Sequence, residues 1–307
     1  MNYVRDPILM RWLIAMVRMS RPLQLGAVSL VYLSGGVLAV HRGAEVSVVR
    51  FFWGYLTLLI GAISIHLANE YADFETDLKT TRTMFSGGSG ALVEMKLERS
   101  GALVLAWISL VLTVLFTVSS LIAQRMESLS AAILALGVFW GWMYSMSPLK
   151  VAWRGWGEVL NASLGGLLLP LYGSTVLSGR VDFSVLVVML PFALLTFNNL
   201  LATTYADRIS DHLVGKFTLA TRLSNMQLRS LYGSVSILAL LALLVIPAYL
   251  MPDSVKLISI LAIPVMIWGW GTYTRKHDPL ASVSAMTVML ILQVCGFLIF
   301  GNMPGKF

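Results

Sequence analysis

The chain has 307 residues, of which 57% are hydrophobic, and its mean hydropathy is +0.80. Soluble domains are about 45–50% apolar, so this composition excludes an ordinary soluble protein and predicts an integral membrane protein. The formal net charge is +7. In a membrane protein, such an excess usually reflects cytoplasmic Lys and Arg near anionic lipid, so we expect membrane lipid and no nucleic acid as a partner. The single cysteine, Cys295, excludes an intramolecular disulfide.

The N-terminal segment has the pattern of a helix that lies in the membrane surface. Residues 7–19 are apolar apart from Arg11 and Arg18, which are seven positions apart and therefore share a helix face. Pro22 disfavours helix at Arg21 and so ends the segment. We expect residues 1–21 to form an uncleaved interfacial segment.

Nine continuous apolar runs follow, and a helix of about 20 such residues crosses a bilayer core of about 30 Å. Their continuity argues against a membrane barrel, whose strands alternate. The sequence thus predicts an all-α, polytopic membrane protein that forms a single domain over residues 1–307. The predicted spans are 23–41, 49–68, 100–122, 129–146, 158–177, 184–205, 229–249, 255–273 and 280–301.

The distribution of basic residues predicts the orientation. With the N-terminus inside, 16 of the 22 Lys and Arg residues fall on the cytoplasmic side. The positive-inside rule therefore favours a cytoplasmic N-terminus in the cell membrane. In that orientation, the segments after spans two and six lie together on the cytoplasmic side.

Polar side chains are concentrated where the second span ends. Asn69, Asp73 and Asp77 follow one another at intervals of four residues, so a continuous helix would place them on one face. The connection over 69–99 is the longest in the chain. It contains Ser86-Gly-Gly-Ser-Gly90, whose glycines permit tight turns, and we interpret it as a cytoplasmic cap over the site.

A second acidic pair stands at the end of the sixth span. Asp207 and Asp211 are again four apart, and Lys216 and Arg222 follow. Mg²⁺ prefers a few carboxylates together with phosphate oxygens and water. The two matched acidic pairs therefore predict a site for a Mg²⁺-diphosphate.

A third polar group follows span four and contains Tyr144, Lys150 and Arg154. The aromatic candidates near the acidic pairs for stabilising a cation are Tyr144, Tyr71, Phe74 and Tyr205.

A transporter is a competing hypothesis, but its acids should lie within the spans, and here they lie at span ends. A CDP-alcohol phosphotransferase would need its aspartates together in one motif.

These motifs resemble those of the UbiA superfamily of intramembrane prenyltransferases. The resemblance rests on the sequences Asn-x₃-Asp-x₃-Asp at 69–77, Tyr-Ala-Asp-x₃-Asp at 205–211, Tyr-Ser-x₂-Pro-Leu-Lys at 144–150 and Arg21-Pro22. It implies helices around a central cavity and Mg-dependent transfer of an isoprenyl group from an isoprenyl diphosphate. It also implies two Mg²⁺ ions, held by the two aspartate motifs.

The resemblance assigns roles to individual residues. Asp73, Asp77, Asp207 and Asp211, with Asn69, would hold the metal, and Tyr144 would act with the four aspartates in catalysis. The side chains expected to bind the diphosphate are Asn69, Arg21, Arg82, Lys150 and Lys216.

The acceptor is less narrowly defined by sequence. The Gly-Gly-Ser-Gly segment and Arg154-Gly-Trp-Gly-Glu158 resemble the branch that prenylates 1,4-dihydroxy-2-naphthoate for menaquinone. The Asn-Asn-x-Arg-Asp form of that branch is missing from the second motif. An aromatic acceptor is therefore the favoured hypothesis, and geranylgeranylglyceryl phosphate, used in lipid ether synthesis, is the alternative.

Overall fold

The structure is a computed structural model that describes residues 7–301. Within that range, nine helices are long and apolar enough to cross a membrane, with mean hydropathies between 1.3 and 2.4. The predicted all-α, polytopic fold is confirmed. The orientation of the N-terminus stays a prediction.

The nine spans follow the apolar runs of the sequence closely. Spans one to four are α2 (Pro22–His41), α3 (Val48–Ala72), α6 (Arg99–Ile122) and α7 (Ser128–Ser145). Span five consists of α8 (Gly157–Ser163), a π-helical turn (Leu164–Leu168) and α9 (Leu169–Ser178). Spans six and seven are α10 (Ser184–Ala206) and α13 (Asn225–Val245). Span eight joins α14 (Asp253–Ser259) to α15 (Ile263–Thr272) through a 3₁₀ turn, and span nine is α16 (Leu280–Phe300).

The largest error in a predicted start concerns span seven, which begins and ends four residues before the predicted 229–249. Ser224 and Gln227 form a reciprocal capping box, which starts the helix at Asn225. Such a cap satisfies backbone N–H groups that the first turn leaves free. The helix ends at Val245, two residues before Pro247.

Shorter helices surround one end of the bundle. They are α1 (Ile8–Met19), α4 (Phe74–Asp77), α5 (Ala91–Glu94), α11 (Arg208–Leu213) and α12 (Leu219–Arg222). The helix α1 lies within the predicted interfacial segment, of which residues 1–6 are outside the described range. Both of its arginines contact the connection after span two: Arg11 Nη2 donates to Lys96 O (3.2 Å), and Arg18 Nη1 donates to Glu94 Oε2 (2.7 Å).

The connection predicted over residues 69–99 is less loop-like than expected. Helix α3 continues to Ala72, and the connection also contains α4 and α5. Thr80 Oγ1 donates to Ser210 Oγ in α11. The connection after span two is therefore tied to the one after span six.

Close helix packing brings spans one and five into contact. A Cβ atom on Gly35 would lie 2.0 Å from Pro170 O, and one on Gly173 would lie 2.3 Å from Tyr32 O. Small residues permit such close backbone approach between membrane helices. The two spans are consequently fixed against each other by residues that have no room for a larger side chain.

Spans two and six end in the same way. Helix α3 stops at Asp73, which has φ −93° and ψ 6°, and α4 begins at the next residue. Helix α10 stops at Asp207, with φ −93° and ψ 0°, and α11 follows directly. The spacing of four residues predicted one continuous helix through each acidic pair, and that prediction is wrong, because each pair spans a helix break.

Candidate active site

The two aspartate motifs meet at one end of the bundle through Lys216. Its Nζ atom lies 3.4 Å from Asp73 Oδ2 and 3.4 Å from Asp211 Oδ1. Only 12% of the Lys216 side chain is exposed, and Asp211 is 1% exposed. We call this end the aspartate rim, defined by Asn69, Asp73, Asp77, Asp207, Asp211 and Lys216. The structure thus places residues from both motifs around a single ammonium group.

Asn69 holds Asp73 in a fixed orientation. Its Nδ2 atom donates to Asp73 Oδ2 (2.8 Å) and to Ser145 Oγ (2.7 Å). Its Oδ1 atom accepts a hydrogen bond from Arg21 Nη2 (2.9 Å). Both ends of the amide are therefore engaged, and Ser145 is a contributor that the sequence did not reveal.

Arg21 reaches the rim, but its charge is largely balanced by Glu70. Its Nε and Nη2 atoms donate to Glu70 Oε1 at 3.0 and 2.7 Å. Ser89 adds two hydrogen bonds to the Glu70 carboxylate, one from its backbone N (3.0 Å) and one from Oγ (2.6 Å). Burial favours a lower pKa for Arg21, yet the Glu70 carboxylate keeps that pKa above its usual value. Sequence reasoning gave Glu70 no role; its position directly after Asn69 was the available signal.

The glycine-rich segment Ser86–Gly90 lies against both motifs. Gly87 N donates to Asp207 Oδ2 (3.3 Å). A Cβ atom on Gly88 would lie only 1.8 Å from Asp77 Oδ2, and Gly88 has φ +65°. Only glycine fits there without strain, because it has no Cβ atom and tolerates positive φ. The segment therefore contacts the rim at Asp77 and Asp207, and its role as a cap stays a prediction.

Arg82 braces this segment and does not reach the aspartates in the structure. Its Nη1 atom donates to Ser89 O (3.1 Å), and its Nη2 atom pairs with Glu94. Glu94 also pairs with Arg18, and these two arginines hold its pKa below the usual value. Arg82 and Arg18 thus fix the cap segment to α5 and α1.

Tyr144 and Lys150 occupy different environments. Tyr144 packs beside the start of span five, where a Cβ atom on Gly157 would lie 3.3 Å from its Cε2 atom. Lys150 is exposed, and its Nζ atom lies 5.3 Å from the centre of the Trp153 ring. Tyr144 directly precedes Ser145, which accepts a hydrogen bond from the rim residue Asn69. Lys150, by contrast, lies at the periphery of the site.

The other aromatic candidates have partners of their own. Arg99 lies over the Tyr71 ring at 5.5 Å, and Phe74 packs against the hydrophobic core. Tyr205 stacks on His277, with ring centres 5.6 Å apart, and its hydroxyl donates to Thr274 O (3.0 Å). Of the four aromatic candidates, Tyr144 is the one that sits between the rim and span five.

Burial and crowding of negative charge raise the pKa of three rim aspartates. Burial, reinforced by Asp73 and Glu70, raises the pKa of Asp77 to about 8. Burial is also the main cause that raises the pKa of Asp207 to about 6 and that of Asp211 to about 7. Burial favours a lower pKa for Lys216, but the Asp73 and Asp211 carboxylates outweigh it and raise that pKa. Without a bound cation, these three carboxyl groups therefore favour the protonated form more than an exposed aspartate does.

The side chains of the rim fit a hard divalent cation. Asp73 Oδ1, Asp207 Oδ1 and Asp211 Oδ2 are enclosed and accept no hydrogen bond. Buried carboxylate oxygens without donors are costly, and carboxylate oxygens are ligands that Mg²⁺ prefers. Within residues 7–301, no three acidic, His or Cys side chains converge on one point. A cation here would therefore complete its shell with water or substrate oxygens.

An apolar cavity of about 570 Å³ lies between spans one, two and nine. It extends from Ser29 and Tyr55 towards His41 and Val48, which lie at the end of the bundle opposite the aspartate rim. Tyr32, Phe51 and Phe297 contribute to its wall. Its volume is in the range typical of small-molecule sites.

Comparison with known proteins places this architecture in a family. The model of the UbiA prenyltransferase family matches residues 28–297. A 1,4-dihydroxy-2-naphthoate octaprenyltransferase of Bacillus subtilis (strain 168) is 26% identical over 222 residues, which are 72% of this chain and 68% of that protein. The protein of the same name from Mycobacterium leprae (strain TN) is 27% identical over 188 residues, 60% of this chain and 62% of that protein.

Solved structures agree in fold. A UbiA homologue from Archaeoglobus fulgidus bound to DMAPP and Mg²⁺ has a TM-score of 0.66 at 13% identity, covering 94% of this chain and 99% of that one. A structure of digeranylgeranylglyceryl phosphate synthase has a TM-score of 0.64 at 14% identity, covering 94% and 98%. At these identities the likeness concerns the fold alone. Because the family match spans most of the chain, the protein belongs to the UbiA prenyltransferase family and is an intramembrane prenyltransferase.

Proposed function

We propose that the chain transfers an isoprenyl group from an isoprenyl diphosphate to an aromatic acceptor of the dihydroxynaphthoate type. The observation that carries the donor site is the meeting of both motifs at Lys216, 3.4 Å from Asp73 and from Asp211. A diphosphate leaving group develops negative charge as the allylic C–O bond breaks, and fixed positive charge lowers that barrier. The rim would supply this positive charge through the Lys216 ammonium and through the cations that its carboxylates would hold.

The donor is held by groups at the rim. Asp73 and Asp77 would hold one Mg²⁺, and Asp207 and Asp211 a second one. Bound Mg²⁺ supplies the charge neutralisation that the leaving diphosphate needs. Asn69 keeps Asp73 oriented, and Lys216 would offer its ammonium to the diphosphate. Arg21, Arg82 and Lys150 are weaker candidates for the same contact, because Arg21 and Arg82 pair with glutamates and Lys150 is peripheral.

The isoprenyl chain needs an apolar environment away from the rim. The cavity between spans one, two and nine offers apolar and aromatic walls. A lipid-like chain that extends from the rim would run along the bundle towards this cavity. The cap formed by Ser86–Gly90 would exclude water from the reacting carbon, which limits hydrolysis of the allylic cation.

The aromatic acceptor is supported by the two relatives named as 1,4-dihydroxy-2-naphthoate octaprenyltransferases and by the Arg154–Glu158 sequence. The cell membrane, with the rim on the cytoplasmic side, follows from the distribution of Lys and Arg.

The deciding experiment offers a panel of acceptors to the purified protein. It uses geranylgeranyl diphosphate and longer donors with Mg²⁺, and products are identified by mass spectrometry. We expect a prenylated naphthoate, with the Asp207→Ala variant as the inactive control. Formation of a glycerol ether from geranylgeranylglyceryl phosphate, with no aromatic product, would refute the aromatic assignment and support the alternative.

A further inference from the structure

Glu158 is a buried carboxylate that its protein partners satisfy only in part. It lies in the first turn of span five and is 1% exposed. Its Oε1 atom accepts hydrogen bonds from Thr204 Oγ1 (3.2 Å) and Leu219 N (3.0 Å). Its Oε2 atom is enclosed and accepts none from the described residues. A buried polar atom without a hydrogen-bond partner is destabilising, and more so when it is charged, so Oε2 calls for an explanation.

The position of Glu158 connects it to the donor side of the site. Its neighbour Gly157 lies against the Tyr144 ring. The segment before it is bonded to the one that carries Lys216, because Phe217 N donates to Trp153 O (3.2 Å). Leu219, which donates to Glu158, is three residues after Lys216. The Glu158 residue therefore lies close in the fold to Tyr144 and to the segment that carries Lys216.

The hydrogen bonds on Oε1 fix the carboxylate and leave Oε2 for another donor. Thr204 belongs to span six and Leu219 to α12, so the two bonds come from two different elements. A carboxylate held from two directions has little rotational freedom.

The proposed reaction needs a proton acceptor of this kind. Carbon–carbon bond formation breaks the allylic C–O bond, whose electron pair leaves with the diphosphate. The new bond joins the allylic carbon to a ring carbon of the acceptor, and loss of the hydroxyl proton supplies electron density to that ring. The immediate product is a prenylated ketone. Its attacked carbon then releases a hydrogen as a proton to solvent, or a carboxylate group as CO₂, and the ketone oxygen takes up a proton, which restores the aromatic hydroxyl. A positioned base raises such rates by about 10²–10⁴-fold.

We propose that Glu158 accepts the hydroxyl proton of the aromatic acceptor on Oε2 and releases it to solvent as product leaves. This rests on the proposed function, because an acceptor without an acidic hydroxyl group needs no such base. The protein supplies the geometry through Thr204 and Leu219, and the acceptor supplies the missing hydrogen-bond donor.

A purely positioning role must be separated from this one. Through Leu219, Glu158 also fixes the segment that carries Lys216, so its loss could act through the donor. Glu158→Gln distinguishes the two, because the amide oxygen still accepts from Thr204 and Leu219 while the amide cannot take up a proton. Thr204→Val is the matched control, since it removes one bond to Oε1 and leaves the carboxylate in place.

The test measures donor affinity with Mg²⁺ and turnover with the naphthoate acceptor for each variant. For Glu158→Gln we expect a donor Kd within about threefold of the wild type and a turnover lower by about 10²–10⁴-fold. An acceptor with electron-withdrawing substituents, ionised at the assay pH, should restore most of the turnover of Glu158→Gln. Thr204→Val should lose less than about tenfold in turnover and should gain nothing from the ionised acceptor.

Two results would overturn the proposal. If Glu158→Gln weakens donor binding as much as it slows turnover, and the ionised acceptor gives no rescue, Glu158 acts through Lys216. If the wild type prenylates the naphthoate and Glu158→Gln does so equally fast, Glu158 has no role in proton transfer. A wild type that forms no aromatic product at all instead refutes the proposed function, so the two failures are distinguishable.

A second measurement covers the case in which Glu158→Gln does not fold. The wild-type turnover should fall with decreasing pH for the ordinary acceptor, because protonation removes the base. That fall should be weaker for the ionised acceptor. Identical pH profiles for the two acceptors contradict a proton transfer to Glu158.

Discussion

The contact between Gly88 and Asp77 allows a sharp test of the cap. A Cβ atom at Gly88 would lie 1.8 Å from Asp77 Oδ2, whereas real Cβ contacts are essentially never below 3.0 Å. The Gly88→Ala variant must therefore move the carboxylate or the cap by roughly 1 Å, a displacement that can cost about 10²-fold in rate at an active site. The positive φ of +65° adds about 1–2 kcal/mol.

Gly43→Ala is the matched control for the backbone effect. Gly43 has φ +83°, lies between spans one and two, and has no atom within 4 Å of an added Cβ. Its replacement should lower the melting temperature in detergent slightly and leave turnover unchanged. The difference between the two variants isolates the steric contact with Asp77 from the cost of positive φ.

The assay compares Mg²⁺-dependent turnover and melting temperature for both variants. We expect Gly88→Ala to lose about 10²-fold in turnover, with a melting temperature close to that of Gly43→Ala. A Gly88→Ala protein that retains more than a third of wild-type turnover would show that the cap does not press on Asp77 during the reaction. An equal loss in both variants would assign the effect to the backbone alone.

Three further outcomes follow from the rim. Asp73→Ala or Asp207→Ala should abolish turnover and leave the melting temperature nearly unchanged. The control Glu75→Ala, which removes an exposed acid of the same segment, should stay active. Activity above a few per cent at saturating Mg²⁺ would exclude the altered aspartate as a metal ligand. Lys216→Ala should weaken donor binding by about 10–100-fold, as expected for a charged contact of about 1.5–3 kcal/mol, and Lys150→Ala should weaken it by less. Neither variant should change the acceptor KM much. Equal losses for donor and acceptor would remove the assignment of the lysine to the diphosphate. Removal of divalent metal with a chelator should stop donor consumption, and added Mg²⁺ should restore it. Activity that persists without metal would contradict the proposed donor site.

Much of the fold could be read from the sequence because membrane spans are set by composition. Apolar runs placed the starts of eight of the nine spans to within two residues, and all boundaries to within four, in line with the usual uncertainty of such boundaries. Span seven was displaced because its start depends on the capping box of Ser224 and Gln227. Hydropathy does not record such a cap, since both residues are polar.

The side-chain geometry of the rim was less accessible. Spacing alone could pair the two motifs, but it could not show that Arg82 turns to Glu94 or that Lys150 stays outside. Side chains in irregular segments have no periodic direction, so the sequence gives no rule for where they point. Glu70 received no role from the sequence, and Glu158 entered only through the resemblance of the Arg154–Glu158 segment, because the significance of a buried carboxylate depends on which distant residues enclose it.

The helix breaks explain how two separate spans form one site. In a continuous helix, the second aspartate of each motif would extend along the axis, away from the partner span. At Asp73 and Asp207 the chain instead takes the same backbone conformation and starts a new short helix. Thr80 and Ser210 join the segments that follow. Lys216 also contacts one aspartate from each motif, so the two spans contribute to a single site.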